Sequence, residues 1–240
     1  MTFVWAATTD RGLVRGHNED ALWPRPAEGE VAQGQAAEQF LAAVADGMGG
    51  HVGGEVASRL AIETAVATDG DAVARVLAAN AAVLGAARDR PRLTGMGTTL
   101  TLAIFSGDMV EIGHIGDSRA YRYRDGNLEQ ITRDHSLVAE MVASGELRPE
   151  EAAAHPFRSV ITRALGLDGA VAVDLVQGEA LPGDRFLLCS DGLTTMLEAP
   201  RIAALLAGQD GSAAAAALVE AANQAGGFDN TSVVVIDVRS

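Results

Sequence analysis

The sequence holds a single cysteine in 240 residues, Cys189, so no disulfide can form within the chain. That residue lies in the apolar run Phe186-Leu187-Leu188-Cys189 and reads as a small buried hydrophobe, not a nucleophile. No stretch reaches the ~18 consecutive apolar residues of a membrane span. The opening MTFVWAATTDRG lacks the basic start and long apolar stretch of a signal peptide, so a cytoplasmic protein is expected. Basic residues are few: 18 Lys+Arg against 32 Asp+Glu give a formal net charge of -14. Such a field repels nucleic-acid phosphates and anionic lipid, and neither nucleic acid nor a membrane is an expected partner. No Pro/Ser-rich or Gly/Ser-rich linker and no fixed-period repeat interrupts the chain. With 48% hydrophobic residues to build a core, one domain over residues 1–240 is expected. The lack of a heptad pattern makes a monomer the default. Gly47-Met48-Gly49-Gly50 is not followed by Lys-Ser/Thr, which argues against a Walker-type nucleotide loop.

What is present is an alternation of two periodicities. Phe3 to Thr9 and Phe40 to Ala45 read as strands, the second apolar enough to be fully buried. The glycines of Asp46-Gly47-Met48-Gly49-Gly50 are expected to end that second strand. Residues 10–20 read as turn-rich, and residues 25–37 as a solvent loop. Helices are predicted over 54–67, 71–88, 136–145, 149–154, 199–206 and 212–225. Strands are predicted at 98–105, 110–115, 119–124, 170–177, 185–190 and 232–238, with hairpin turns at Gly107-Asp108 and Asp125-Gly126-Asn127. Hairpin-linked strands with inserted helix pairs predict an α+β fold, not a doubly wound parallel sheet.

Five short stretches set a carboxylate beside Gly, Asn or Ser at the edge of a strand or turn. They are Asn18-Glu19-Asp20, Asp46-Gly47, Gly116-Asp117-Ser118, Asp191-Gly192 and Asp229-Asn230. Turn chemistry alone explains any one of them. Two of them, however, directly follow matching apolar strands, Phe40 to Ala45 and Arg185 to Ser190. If those strands lie centrally in two packed sheets, Asp46 and Asp191 face one cleft, where unpaired carboxylates are costly and call for cations. Aspartate and carbonyl oxygens, with no cysteine or paired histidine nearby, are hard ligands suited to Mg²⁺, Mn²⁺ or Ca²⁺. Without a Ser-His-Asp or Cys-His arrangement, metal-activated water is favoured over a protein nucleophile. Arg15, four residues before Glu19, is either a bidentate phosphate ligand or a surface partner of Glu19.

In chain order, the following stretches resemble one family. They are Thr9 to Asp20, Val44 to His51, Gly95 to Thr99, Gly113 to Arg119, Asp134-His135-Ser136, His155-Pro156 through Leu165-Gly166, Ser190-Asp191-Gly192 and Asp229-Asn230-Thr231. The chain is similar to the metal-dependent protein phosphatases, type 2C, in their compact bacterial form. The resemblance implies a four-layer α-β-β-α sandwich, two antiparallel sheets flanked by helix pairs. It also implies hydrolysis of phosphoserine and phosphothreonine in proteins by a metal-bridged water or hydroxide, reversing the action of a Ser/Thr kinase. Two core Mn²⁺ or Mg²⁺ ions would be bridged by Asp46. The Gly47 carbonyl and Glu19 and Asp20 would serve the second ion, and Asp191 and Asp229 the first. Asp117 would join Asp191 at a weaker third site, and Arg15 would grip the substrate phosphate. Residues 136–160 fall where the family carries a mobile flap. Some relatives have a histidine after the first Asp-Gly as general acid; here Met48 stands there, and His51 is the candidate acid or a loop-orienting residue. His17, His114, His135 and His155 read as structural.

Two other classes compete. A non-catalytic module of the same fold predicts gaps in the acidic set, and none is found. A two-metal phosphodiesterase acting on nucleic acid is disfavoured by the -14 charge.

Overall fold

The computed structural model describes residues 1–49, 53–152 and 154–240. The first four strands are β1 (Thr2–Asp10), β2 (Asp20–Trp23), β3 (Val31–Ala37) and β4 (Gln39–Met48). Helices α1 (Gly53–Ala67) and α2 (Ala72–Asp89) follow. Then come β5 (Gly97–Thr98), β6 (Leu100–Ser106), β7 (Met109–Ile115), β8 (Arg119–Arg124) and β9 (Asn127–Gln130). The short helices α3 (Leu137–Ser144) and α4 (Pro149–Ala152) lead to β10 (Asp174–Glu179) and β11 (Arg185–Cys189). Helices α5 (Asp191–Thr194), α6 (Ala199–Leu206) and α7 (Gly211–Gln224) precede β12 (Thr231–Arg239). None of the described helices is long and apolar enough to cross a membrane.

The strands form two antiparallel sheets, ordered β3-β1-β12-β11-β8-β9 and β10-β7-β6-β4-β2, with β5 paired to β4. Alternation of the side chains divides the apolar residues among three layers. Between the sheets, Phe105 meets Phe186 edge-on at 5.1 Å and Phe3 at 5.3 Å. Each such fully buried ring contributes about 1.5–3 kcal/mol relative to exposure. The outer face of the second sheet is covered by α1 and α2, whose Ala57, Ala61, Val76 and Val83 pack on Ala43, Leu100 and Leu102. Helices α6 and α7 cover the other sheet, with Ile202 and Leu218 against Leu187 and Val235. The result is the expected α+β sandwich of helix, sheet, sheet and helix layers.

Local signals account for several boundaries. The Asp71 and Asp210 side chains cap α2 and α7 by accepting the amides of Ala74 and Ala213, each at 2.8 Å. Asp125 and Gly126 both have positive φ, the backbone of a two-residue hairpin turn between β8 and β9.

Three sequence readings are corrected. Residues 31–37, expected as loop, form edge strand β3 along β1. Its polar and small residues carry no apolar period, but the pairing places Gly34 under Trp5, where a Cβ would sit 2.7 Å from the indole. Residues 20–23, next to the segment read as turn, form β2 against β4. Strand β4 does not stop at Ala45. Asp46 pairs with Asp20 and Gly47 with Thr98, because each neighbouring strand supplies backbone partners that propensity alone does not anticipate.

Candidate metal centre

The strand ends converge at one edge of the sandwich. From the second sheet come Asp46 in β4, Asp20 opposite it in β2, and Gly116-Asp117 after β7. From the other come Asp191 after β11 and Asp229 just before β12. Both Asp-Gly pairs prove to be close approaches and not turns. A Cβ on Gly47 would overlap the Gly54 carbonyl, one on Gly192 would overlap the Asn230 carbonyl, and neither glycine has positive φ. Glycine is required there so that separate backbone segments can meet beside the carboxylates.

Arg15, His17, Glu19, Asp46, Gly47, Asp191, Asp229 and Asn230 line a cleft of about 640 Å³, bordered by Ser159 and Ile161. Asp191 and Ser159 also line an adjoining hollow of about 320 Å³ that contains Asp117, Arg119, Asp134 and Arg158. Asp20 sits behind the cleft and borders a separate hollow of about 470 Å³ against α1. That hollow contains no other carboxylate of the set, so the chemistry concentrates in the acidic cleft. Of the sequence-derived set, Glu19, Asp46, Gly47, Asp191, Asp229 and Arg15 thus share one cavity, with Asp117 beside it and Asp20 beneath. His51 lies outside the described residues.

The electrostatics are those of crowded buried acids. Burial, with the charges of Asp191 and Asp229, pushes Asp20 up to about 8 against the favourable influence of Ser190 and Ser232. Burial, then Asp20, Asp191 and Asp117, drives Asp46 well above the ordinary carboxylate range. Burial and Asp191 lift Asp117 to about 7, and burial followed by Asp229 raises Asp191. One oxygen each of Asp20, Asp117 and Asp191 is buried with no hydrogen-bond partner. Two nearby cations are engaged elsewhere: Arg119 forks onto Asp134 at 2.9 and 2.7 Å, and Arg15 reaches Asp229 at 2.6 Å. Arg15 therefore pairs with Asp229, not with Glu19 as the surface reading held. Among the described residues no three His, Cys, Asp or Glu side chains already converge on one point.

A second group of residues fixes these acids, and sequence reasoning assigned it no role. Thr99 Oγ1 accepts the Asp46 amide at 2.8 Å, Thr98 Oγ1 donates to the Asp46 carbonyl at 2.8 Å, and Thr99 also meets Ser118 at 2.7 Å. Ser190 donates to Asp20 at 2.7 Å. Asn230 accepts the Glu19 amide at 2.8 Å and donates to the carbonyls of Arg11 and His17, pinning the 11–19 loop to the start of β12. All five lay inside stretches already singled out, but a hydroxyl or amide carries no sequence mark of what it will bond. His17, read as structural, proves to line the cleft.

Residues 17–222 match the sequence model of the family described as Protein phosphatase 2C. The serine/threonine protein phosphatase PstP of Mycobacterium tuberculosis is 44% identical over 98% of this chain and 45% of its own length. The chain thus spans about half the length of that relative. The serine/threonine phosphatase stp of Listeria monocytogenes is 37% identical, covering 95% of this chain and 93% of its own. The crystal structure of the Mycobacterium tuberculosis phosphatase superposes with a TM-score of 0.89 at 41% identity, covering 100% of both chains. A second structure, the PstP catalytic domain in complex with two manganese ions, gives 0.85 at 41% identity, again covering 100% of both chains.

Proposed function

The chain belongs to the protein phosphatase 2C family, and on that premise we propose that it hydrolyses phosphoserine and phosphothreonine monoesters of proteins with divalent cations held in the acidic cleft. The observation that carries this reading is the cluster of Asp20, Asp46, Asp117 and Asp191, raised in pKa by burial and by one another, with three buried oxygens unpartnered. An all-oxygen donor set fits Mn²⁺ or Mg²⁺, and mutual repulsion explains why the carboxylates have not closed on a common point. The two manganese ions of the PstP catalytic domain agree with two core ions here.

In this reading Asp46 would serve both core ions, Asp191 and Asp229 the first, and the Gly47 carbonyl, Glu19 and Asp20 the second. Asp117 and Asp191 would hold a weaker third. When bound, the ions supply Lewis acidity that lowers the pKa of water and offsets phosphoryl charge. The protein's own part is to orient and neutralise. Arg15, half-exposed at the cleft, turns from Asp229 to two phosphoryl oxygens and keeps the phosphorus in line for attack. Thr98 and Thr99 hold the Asp46 backbone so that its carboxylate serves both sides. Met48 has no proton to give the leaving alkoxide, which leaves His51 or solvent for that step. Residues 136–160 act as the flap, consistent with Ser159 and nearby Ile161 bordering the cleft. A cytoplasmic monomer opposing a Ser/Thr kinase is the setting inferred.

The test is substrate class. With Mn²⁺ present the chain cleaves an aryl phosphate monoester and a phosphothreonine peptide but leaves an aryl diester intact; preference for the diester overturns the reading. A second expectation concerns the weak ion. Asp117→Ala lowers turnover about tenfold at limiting Mn²⁺ while two ions still bind tightly, since a site with few protein ligands is weak. Rate against Mn²⁺ concentration checks it. Wild-type rates at every concentration, with a lower melting temperature, show a purely structural Asp117.

A further inference from the structure

The turn that carries Asp117 is strained and closely anchored. Gly116 has φ +109°, and a Cβ there would lie 2.5 Å from the Thr99 side chain. Its peptide is held from both sides by one residue. The His135 amide donates to the Gly116 carbonyl at 2.8 Å, and the Gly116 amide donates to His135 Nδ1 at 3.1 Å. Because Nδ1 accepts, the neutral ring carries its proton on Nε2. Nε2 lies 3.1 Å from Asp174 Oδ2, close enough for attraction though not aligned as a hydrogen bond. The other Asp174 oxygen receives Arg163 at 2.8 Å.

The backbone from this residue onward closes the two roots of the 136–160 segment on each other. The His135 carbonyl accepts the Thr162 amide at 2.8 Å, Ser136 bridges to Ile161, and the Leu137 amide donates to the Val160 carbonyl at 2.8 Å. Neighbouring His114, its ring tilted against His135 at 4.8 Å, has no such link. Its nitrogens are taken by the Thr101 hydroxyl and the Arg133 carbonyl, as befits a structural histidine.

Resting on the reading of Asp117 as a cation ligand, we propose that His135 is a positioning residue that clamps the Gly116-Asp117 turn to both roots of the flap, coupling the weak cation site to the setting of the flap. The side chain works through Gly116 on one edge and through Asp174 and Arg163 on the other, and touches no substrate.

Two near-isosteres divide these edges. In His135→Asn the amide oxygen replaces Nδ1 and keeps an acceptor for Gly116. His135→Gln reaches toward Asp174 and leaves the Gly116 amide unpaired. Calorimetry with Mn²⁺ alone, amide hydrogen exchange and steady-state kinetics read the outcome. In His135→Gln the weakest Mn²⁺ loosens about tenfold and Gly116 and Asp117 exchange about tenfold faster, with the tight ions unchanged, the effect of one lost hydrogen bond. His135→Asn keeps the Mn²⁺ isotherm. Its residues 137–160 exchange faster, and KM rises for a phosphothreonine peptide but not for an aryl phosphate. In wild type, saturating Mn²⁺ slows exchange at Leu137 and Thr162. The clamp is overturned if His135→Gln keeps wild-type Gly116 exchange and Mn²⁺ affinity. It is equally overturned if both variants merely melt earlier, or if wild-type Leu137 and Thr162 ignore Mn²⁺ that binds. Should wild type bind no Mn²⁺ at all, the metal reading fails visibly in the unmutated chain, a result distinct from any failure of the variants.

Discussion

Asp46→Asn lowers turnover by on the order of 10³-fold at saturating Mn²⁺ and, in excess chelator, makes the folded chain more stable. The first effect follows from the position of Asp46, opposite Asp20 and under the influence of Asp191, where in the proposed reading its carboxylate would serve both core ions. Loss of a bridging ligand removes several kcal/mol of transition-state stabilisation. The second effect follows from the same crowding. Four buried acids repel one another, and a neutral amide relieves that repulsion. A rise of several degrees in melting temperature corresponds to about 1–2 kcal/mol for a chain of this size.

The pH dependence has the same origin and a defined sign. Burial and the neighbouring carboxylates push Asp20 up to about 8 and Asp117 up to about 7 in the folded chain, against about 4 for an ordinary aspartate. Between those values the folded chain binds more protons than the unfolded one, so stability in chelator falls as pH rises from about 4 to 8. Thermal melts in chelator at pH 6 and pH 8.5 check it: the wild type melts lower at pH 8.5, and saturating Mn²⁺ removes the difference. Equal melts in chelator contradict the crowding account.

Arg15→Ala raises KM for a phosphothreonine peptide by roughly 10–100-fold and changes kcat much less. A guanidinium bound to phosphoryl oxygens is bound in ground and transition state alike, and a charge-assisted pair of bonds is worth about 1.5–3 kcal/mol. Its present partner sharpens the expectation. Arg15 spans 2.6 Å to Asp229, so its removal also frees a cation ligand, and Mn²⁺ affinity rises or holds rather than falls. Steady-state kinetics paired with Mn²⁺ calorimetry separate the two roles. An unchanged KM, or a loss of Mn²⁺ affinity equal to the loss of activity, makes Arg15 a structural support of Asp229.

Much of the candidate site was legible because its residues sit where strong local patterns end. The apolar runs before Asp46 and Asp191 announce buried strands, and a carboxylate directly after a buried strand needs an explanation that a surface turn does not. The Asp-Gly pairs were legible as special but for the wrong local reason. Turn propensity suggested chain reversal, whereas Gly47 and Gly192 admit the Gly54 and Asn230 backbones. Strand β3 was not legible, since Gln33, Gly34 and Gln35 have neither β propensity nor alternation and pair only because β1 offers an edge. The supports of the site were hidden for a related cause. Ser190, Thr99 and Asn230 act by bonds to residues 53–219 positions away, and no window along the chain contains both partners.

The most direct measurement is anomalous diffraction at the manganese edge from crystals of the chain soaked in Mn²⁺. The account predicts two strong peaks about 3.5–4 Å apart, straddling the Asp46 carboxylate and in reach of Asp191 and Asp229. A weaker peak between Asp117 and Asp191 completes the pattern. Crystals that take up Mn²⁺ elsewhere and leave these carboxylates without a peak contradict it.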